Sequence, residues 1–107
     1  MSRIKWDKGY ALEQAGDDAE LVAELLEIFI DALHNDLGLI GQGLADGSAS
    51  LVHRAAHSIK GSAASLGITQ ITELALEIEE HSHAGNLEPA RRKLPELQEL
   101  LADLKKQ

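Results

Sequence analysis

One stretch of the chain, AAHSIKGSAASLG over residues 55–67, combines the residue types that could accept a phosphoryl group. The imidazole of His57 can offer an unprotonated, nucleophilic nitrogen near neutral pH. Lys60 follows one helical turn later, where its ammonium could pair with an arriving anion. Gly61 adds no side chain beside them, so a bulky tetrahedral group could approach. Because a glycine within a helix costs about 1 kcal/mol relative to alanine, another requirement is expected to favour it there.

The other residues of this stretch repeat at the spacing of a helix with one buried face. At about 100° per residue, six small or apolar side chains fall on one side. They are Val52, Ala55, Ala56, Ile59, Ala63 and Leu66. His57 falls opposite their mean direction, so we predict that it points out of the fold. From the residues alone, a phosphoryl site and an ordinary solvated helix face both fit this pattern.

Capping residues and glycines divide the chain into one short helix and four longer ones. The predicted bounds are Asp7 to Gly16, Asp17 or Asp18 to about Asp46, Ser48 or Ser50 to Gly67, Thr69 to Gly85, and Asn86 to the end of the chain. Loops of a few residues make neighbouring helices antiparallel. The predicted fold class is therefore all-α, an up-down antiparallel four-helix bundle with a short extra N-terminal helix. The chain has no linker or internal repeat, which predicts a single domain over residues 1–107.

The composition agrees with a helical bundle and disfavours several classes of function. Of the 107 residues, 44% are apolar but only 3% are aromatic, so the core is aliphatic and favours helices over strands. The net charge of −8 disfavours binding to nucleic acid and to anionic membranes. The absence of cysteine excludes disulfides and thiolate metal sites. Because the chain shows neither a membrane-length apolar run nor a signal-peptide core, we expect a cytoplasmic protein.

The stretch around His57 resembles the signature of histidine phosphotransfer (HPt) domains. That signature is a histidine, any residue, an aliphatic residue, Lys-Gly, small residues, then a hydrophobic residue and glycine. The matching positions are His57, Ile59, Lys60, Gly61, Ser62, Ala63, Leu66 and Gly67. The segment LEQAGDDAELVAELLEIFIDAL is similar to the first two helices of the family, and LALEIEEHSHAGN to its next helix and turn. The resemblance therefore extends over nearly the whole chain.

The resemblance implies a function in multistep phosphorelays. Domains of this family are helical bundles that accept a phosphoryl group from an aspartate of one receiver domain and pass it to an aspartate of another. It implies that His57 is the phosphoacceptor, through its outer ring nitrogen, that Lys60 stabilises the phosphate charge, and that Gly61 keeps the approach open. It also implies a chain that binds no ATP, hydrolyses nothing and holds no metal or cofactor. The Mg²⁺ of the reaction is expected on the partner receiver.

The implied partners are response-regulator receiver domains, with a hybrid sensor histidine kinase as a further candidate, and the expected state is a monomer. Their docking surface is expected around His57, on His53, Arg54, Ala64 and Ile68. The chain departs from some family members, which place a glutamine on the next helix, close to the phosphohistidine. The corresponding positions, 78–80, are Ile-Glu-Glu. The sequence leaves open whether Glu79 or any other residue of that helix orients the imidazole.

Three alternatives compete with this hypothesis. A dimerisation and phosphoacceptor domain of a sensor kinase also carries a surface histidine, but an acidic residue usually follows it, whereas Ser58 follows His57 here.

A helical metal-binding module could use His53 and His57, which have ligand spacing on one helix face. His81 and His83 are two residues apart, so their side chains diverge on a helix and do not suggest a shared metal. Their position is better explained by the end of the helix, where positively charged side chains interact favourably with the helix dipole. A scaffold that only binds other helices would not need His57, Lys60 and Gly61 together.

Overall fold

The computed structural model describes residues 4–106 and folds them into five helices, with no strand in that range. The helices are α1 Lys8–Gln14, α2 Ala19–Asp46, α3 Ala49–Ser65, α4 Thr69–His83 and α5 Glu88–Lys105. Residues 1–3 and 107, the two ends of the predicted single domain, lie outside the described residues. The all-α class and the order of one short and four longer helices are confirmed. No helix within residues 4–106 is long and apolar enough to cross a membrane.

The four longer helices pack in a ring around an aliphatic core. α2 contacts α3 and α5, and α4 contacts the same two helices from the other side. α1 packs against α2. The largest fully buried side chains are those of Leu33, Ile40, Val52, Ile59, Ile68, Ile71, Ile78, Leu97 and Leu104. The predicted buried face of α3 is confirmed, since all six of its small or apolar residues are buried.

Side-chain caps begin the first three helices, as predicted. The Tyr10 amide donates to the carboxylate of Asp7 at the start of α1. Asp18 and Ser48 accept in the same way at the starts of α2 and α3. These bonds satisfy amides that have no partner within their own helix. They fix where α3 begins and hence which residues occupy its middle turns.

α4 and α5 begin without a side-chain cap, so the predictions of Thr69 and Asn86 as caps were wrong. The cap positions are Ile68 and Leu87, and neither side chain can accept a hydrogen bond from the helix. Thr69 is the first residue of α4, because the turn after α3 places Ile68 in the core. Asn86 lies one residue before the cap of α5 and accepts a hydrogen bond from the Glu88 amide at 3.2 Å.

Ile68 was predicted to lie on the docking surface, but the turn between α3 and α4 buries it. Gly67 has φ +71°, a conformation that glycine adopts without steric cost. The Ile68 amide donates to the Ala63 carbonyl at 3.0 Å, and the Gly67 amide donates to the Ala64 carbonyl at 3.1 Å. This pair of bonds is a Schellman motif, which turns the next hydrophobic side chain back onto the helix. Ile68 is completely buried and is therefore not part of a docking surface.

Two close contacts hold the ends of α3 in place. Gly43 near the end of α2 is buried, and a Cβ atom there would lie 2.7 Å from Val52 Cγ2, so only glycine allows this approach of α2 to α3. At the other end, the indole Nε1–H of Trp6 donates to the Leu66 carbonyl at 2.7 Å. The Asp7 amide donates to the Gly67 carbonyl at 2.9 Å beside it. The segment before α1 thus anchors the end of α3.

Candidate functional site

His57 lies in the middle of α3, on the side that faces away from the core. Its side chain exposes 65% of its surface, whereas the neighbouring Ile59 is buried. The prediction that this imidazole points outwards is confirmed. The exposure follows from helical geometry, because the buried face of α3 is held between α2 and α4. A large reaction partner can therefore reach the ring without any change in the bundle.

A carboxylate from the next helix holds both His57 and Lys60. His57 Nδ1 lies 2.6 Å from Glu79 Oε2, and Lys60 Nζ lies 2.6 Å from Glu79 Oε1. The side chain of Glu79 is only 12% exposed because its two partners cover it, and Lys60 is 30% exposed. One carboxylate of α4 therefore places an imidazole and an ammonium side by side on α3.

The contact with Glu79 determines which nitrogen of His57 carries the hydrogen. An ionised carboxylate has no hydrogen to donate, so Nδ1–H of His57 must be the donor in this bond. In the neutral ring, the unshared electron pair then resides on Nε2. Nδ1 lies against α4, so Nε2 is the nitrogen on the far side of the ring. The site thus offers one defined nucleophilic nitrogen instead of a mixture of two tautomers.

The same two contacts keep Glu79 ionised. The hydrogen bond from Lys60 lowers the pKa of Glu79 from its ordinary value of 4.5, and the bond from His57 acts in the same direction. Partial burial raises the pKa of Glu79 but does not outweigh these bonds. Glu79 is therefore negatively charged at neutral pH, and its ion pairs contribute to stability there.

We expect Glu79→Gln to lower the free energy of unfolding by about 1 kcal/mol at neutral pH, because it removes the charge that two partners share. The folded-state pKa of Glu79 lies below 4.5. Its contribution is therefore complete above that pH and is lost as pH falls through the lower, folded-state value. Urea denaturation of both proteins at about pH 7 and about pH 3 should show a larger difference in stability at pH 7 than at pH 3.

The matched control is Glu80→Gln, which removes an exposed carboxylate from the next position of α4. This variant should unfold like the parent at both pH values. If the two variants lose the same stability at neutral pH, the bonds of Glu79 to His57 and Lys60 do not add to the stability of the fold.

Gly61 leaves the surface next to His57 open. A Cβ atom built at this position would meet no atom within 4 Å, so the glycine is not required for packing within the fold. Ala64, one turn further along the same face, is exposed. Together they form a low surface at His57 on which a partner's backbone or a tetrahedral group could rest.

The remaining residues predicted for the docking surface have different environments. Arg54 is exposed on α3, one turn before His57. His53 is half-buried, and its Nδ1 lies 3.2 Å from the carbonyl oxygen of Glu79. Its ring also lies 5.2 Å from that of His83, measured between centroids. The structure therefore brings His53, Arg54 and Ala64 to the side of α3 that carries His57, and it excludes Ile68.

Comparison with known protein families agrees with this site. The family model of the Hpt domain matches residues 24–107, which include His57, Lys60, Gly61 and Glu79. The chain belongs to the Hpt domain family. Searches of curated proteins and of solved structures found no match. Family membership thus rests on the family model, and the geometry of the site rests on the contacts described above.

Proposed function

We propose that this chain is a histidine phosphotransfer protein of a two-component phosphorelay. His57 accepts a phosphoryl group from a receiver-domain aspartate and passes it to the aspartate of another receiver. The observation that carries this proposal is the exposed imidazole whose Nδ1 is held by Glu79 while Lys60 lies beside it. Membership of the Hpt domain family supports the same class of reaction.

The proposed step needs only one nucleophile from this chain. The electron pair of His57 Nε2 attacks phosphorus, and an N–P bond forms as the bond to the receiver's aspartyl oxygen breaks. That aspartate leaves as a carboxylate. No proton has to leave the ring, because Nδ1 keeps its hydrogen and the negative charge of Glu79 balances the positive charge that the ring gains. The reverse sequence on a second receiver transfers the group onwards.

Positioning and charge provide most of the catalysis in phosphoryl transfer. Helix α3 is a rigid support for His57, since its opposite face is buried along its length. Lys60 can turn from Glu79 towards the phosphoryl oxygens, because its side chain is flexible and partly exposed. In this proposal the receiver supplies Mg²⁺, and this chain supplies neither a cofactor nor kinase or phosphatase activity of its own.

The same proposal extends to organisation and partners. The ring of four longer helices joined by short connections supports the predicted up-down antiparallel order. We propose that the chain acts as a cytoplasmic monomer, with response-regulator receivers as partners and a hybrid sensor histidine kinase as a further candidate. The surface that receives them is proposed to comprise His53, Arg54 and Ala64 around His57.

The direct test is transfer from a phosphorylated receiver domain. The purified chain is incubated with a panel of receiver domains from its host, each phosphorylated on aspartate. We expect at least one to transfer label to this chain as a phosphoramidate, which is labile in acid and stable in base. Mass spectrometry should place the phosphoryl group on His57. A label that is stable to acid, or the absence of transfer from every receiver tested, would contradict the proposal.

We expect Gly61→Ala to stabilise the protein while slowing transfer. Alanine is favoured over glycine within a helix by up to about 1 kcal/mol, and the new methyl group meets no atom of this chain. The same methyl group would stand where the receiver approaches. Urea denaturation and the rate of label transfer measure the two effects separately.

Gly41→Ala provides the control for stability, since position 41 lies within α2 and a Cβ atom there also meets nothing within 4 Å. It should gain similar stability. If Gly61→Ala becomes more stable and transfers label at the parental rate, the open surface at Gly61 has no role in docking.

A further inference from the structure

Two histidines outside the proposed transfer step lie against each other on neighbouring helices. His53 belongs to α3, and His83 belongs to the last turn of α4. Their ring centroids are 5.2 Å apart, with an angle of 44° between the ring planes. The two rings are therefore close enough to contact one bound ion.

A hydrogen bond to the backbone leaves one ring nitrogen of His53 available to bind a metal ion. Its Nδ1 lies 3.2 Å from the backbone carbonyl oxygen of Glu79, which can only accept a hydrogen bond. Nδ1 therefore carries the hydrogen, and in the neutral ring the electron pair resides on Nε2. Metal-binding histidines commonly make this contact, because a hydrogen bond from one ring nitrogen to a carbonyl fixes the tautomer and the orientation of the ring.

The separation of the two rings fits coordination of one metal ion. Zinc binds imidazole nitrogen at about 2.0–2.1 Å in tetrahedral geometry. Each ring centroid then lies about 3.2 Å from the metal, and the tetrahedral angle places two such centroids about 5.2 Å apart. His53 and His83 have this separation without any movement of α3 relative to α4.

We propose that His53 and His83 form a binding site for a late divalent transition metal, with zinc as the probe ion. Among residues 4–106 no group of three or more histidine, aspartate or glutamate side chains is placed to bind a metal, so water completes the coordination. Glu79 does not contribute its carboxylate, which is engaged by His57 and Lys60. The site differs from the pair of His53 and His57 that helical spacing alone indicated.

Isothermal titration calorimetry with zinc, above the ordinary pKa of histidine, tests this site. We expect the parent to bind one equivalent, and His83→Ala to bind at least about tenfold more weakly. His83 is exposed, so its replacement should leave the fold intact. His81→Ala is the matched control, because it removes another exposed histidine from the same turn of α4. It should bind zinc like the parent.

A second measurement identifies the ligand atoms in the parent itself. Long-range ¹H–¹⁵N spectra of the histidine rings should show Nε2 of His53 and one nitrogen of His83 shifting together as zinc is added. His57→Gln should retain the binding, since His57 is not a ligand in this site. The proposal is overturned if the parent binds no zinc, if His83→Ala binds as tightly as the parent, or if binding is lost in His57→Gln instead.

Discussion

Replacing His57 by glutamine is expected to abolish acceptance of a phosphoryl group. Glutamine is a good helix former and polar, so it suits a position whose side chain is 65% exposed. Its amide nitrogen is not nucleophilic, because the electron pair is delocalised into the carbonyl group. The variant should fold like the parent by circular dichroism and urea denaturation. Its acid-labile label after incubation with a phosphorylated receiver should fall to background.

The matched control is His81→Gln, which changes an exposed histidine on α4 and should leave labelling at the parental level. The two variants carry the same chemical change and differ only in position. Labelling of His57→Gln at the parental rate would exclude this residue as the acceptor. Loss of labelling in both variants would show that the effect does not depend on the site.

The orientation of α3 could be predicted from sequence because helical periodicity records which side of a helix is buried. Val52, Ile59 and Ala63 are separated by steps of seven and four residues, and all three are buried. His57 could then be placed on the opposite side from spacing alone. The caps Asp7, Asp18 and Ser48 were also predictable, because each interaction spans only three residues of the chain.

Ile68 was misplaced because local spacing does not describe the end of a helix. Continuing the periodicity of α3 beyond Gly67 assumes that the helix goes on, whereas the positive φ of Gly67 turns the chain. The hydrogen bond from the Ile68 amide to Ala63 then directs this side chain into the core. A glycine followed by an aliphatic residue is the usual sequence of a Schellman motif, so the available signal pointed to burial.

The part played by Glu79 depends on how far α4 is shifted along α3, which a single sequence does not encode directly. Glu79 bonds to His57 and Lys60, which precede it in the chain by 22 and 19 residues. The pairing of His53 with His83 depends on the same register. Both contacts follow once the turn at Gly67 fixes where α4 begins. The sequence could identify an acidic residue on the right helix but could not assign it to the imidazole.

Lys60 is expected to interact with different groups before and after phosphorylation of His57. In the structure its ammonium is paired with Glu79, 2.6 Å from Oε1. A phosphoryl group on His57 Nε2 adds up to about two negative charges on the side of the ring away from Glu79. Lys60 must then divide its attraction between the carboxylate and the phosphate. We infer that the ion pair with Glu79 holds the ammonium of Lys60 close to His57 before a phosphoryl group binds there.

Lys60→Ala should therefore slow transfer to His57 by about tenfold to a hundredfold, since hydrogen bonds to charged groups contribute about 1.5–3 kcal/mol. The loss has two sources: the phosphoryl oxygens lose a cation, and the negative charge of Glu79 is no longer balanced by Lys60. Lys60→Arg should recover much of the rate, because it restores the positive charge. Single-turnover transfer from a phosphorylated receiver measures all three proteins.

Lys93→Ala is the matched control. It breaks a different ion pair between a lysine and α4, in which Lys93 Nζ of α5 lies 2.8 Å from Glu77 Oε2. Because Glu77 is accessible to solvent, this change should have little effect on stability and should leave the transfer rate unchanged. Equal slowing in Lys60→Ala and Lys93→Ala would attribute the effect to a loosened bundle. Slowing in Lys60→Ala alone, with recovery by arginine, would attribute it to charge beside His57.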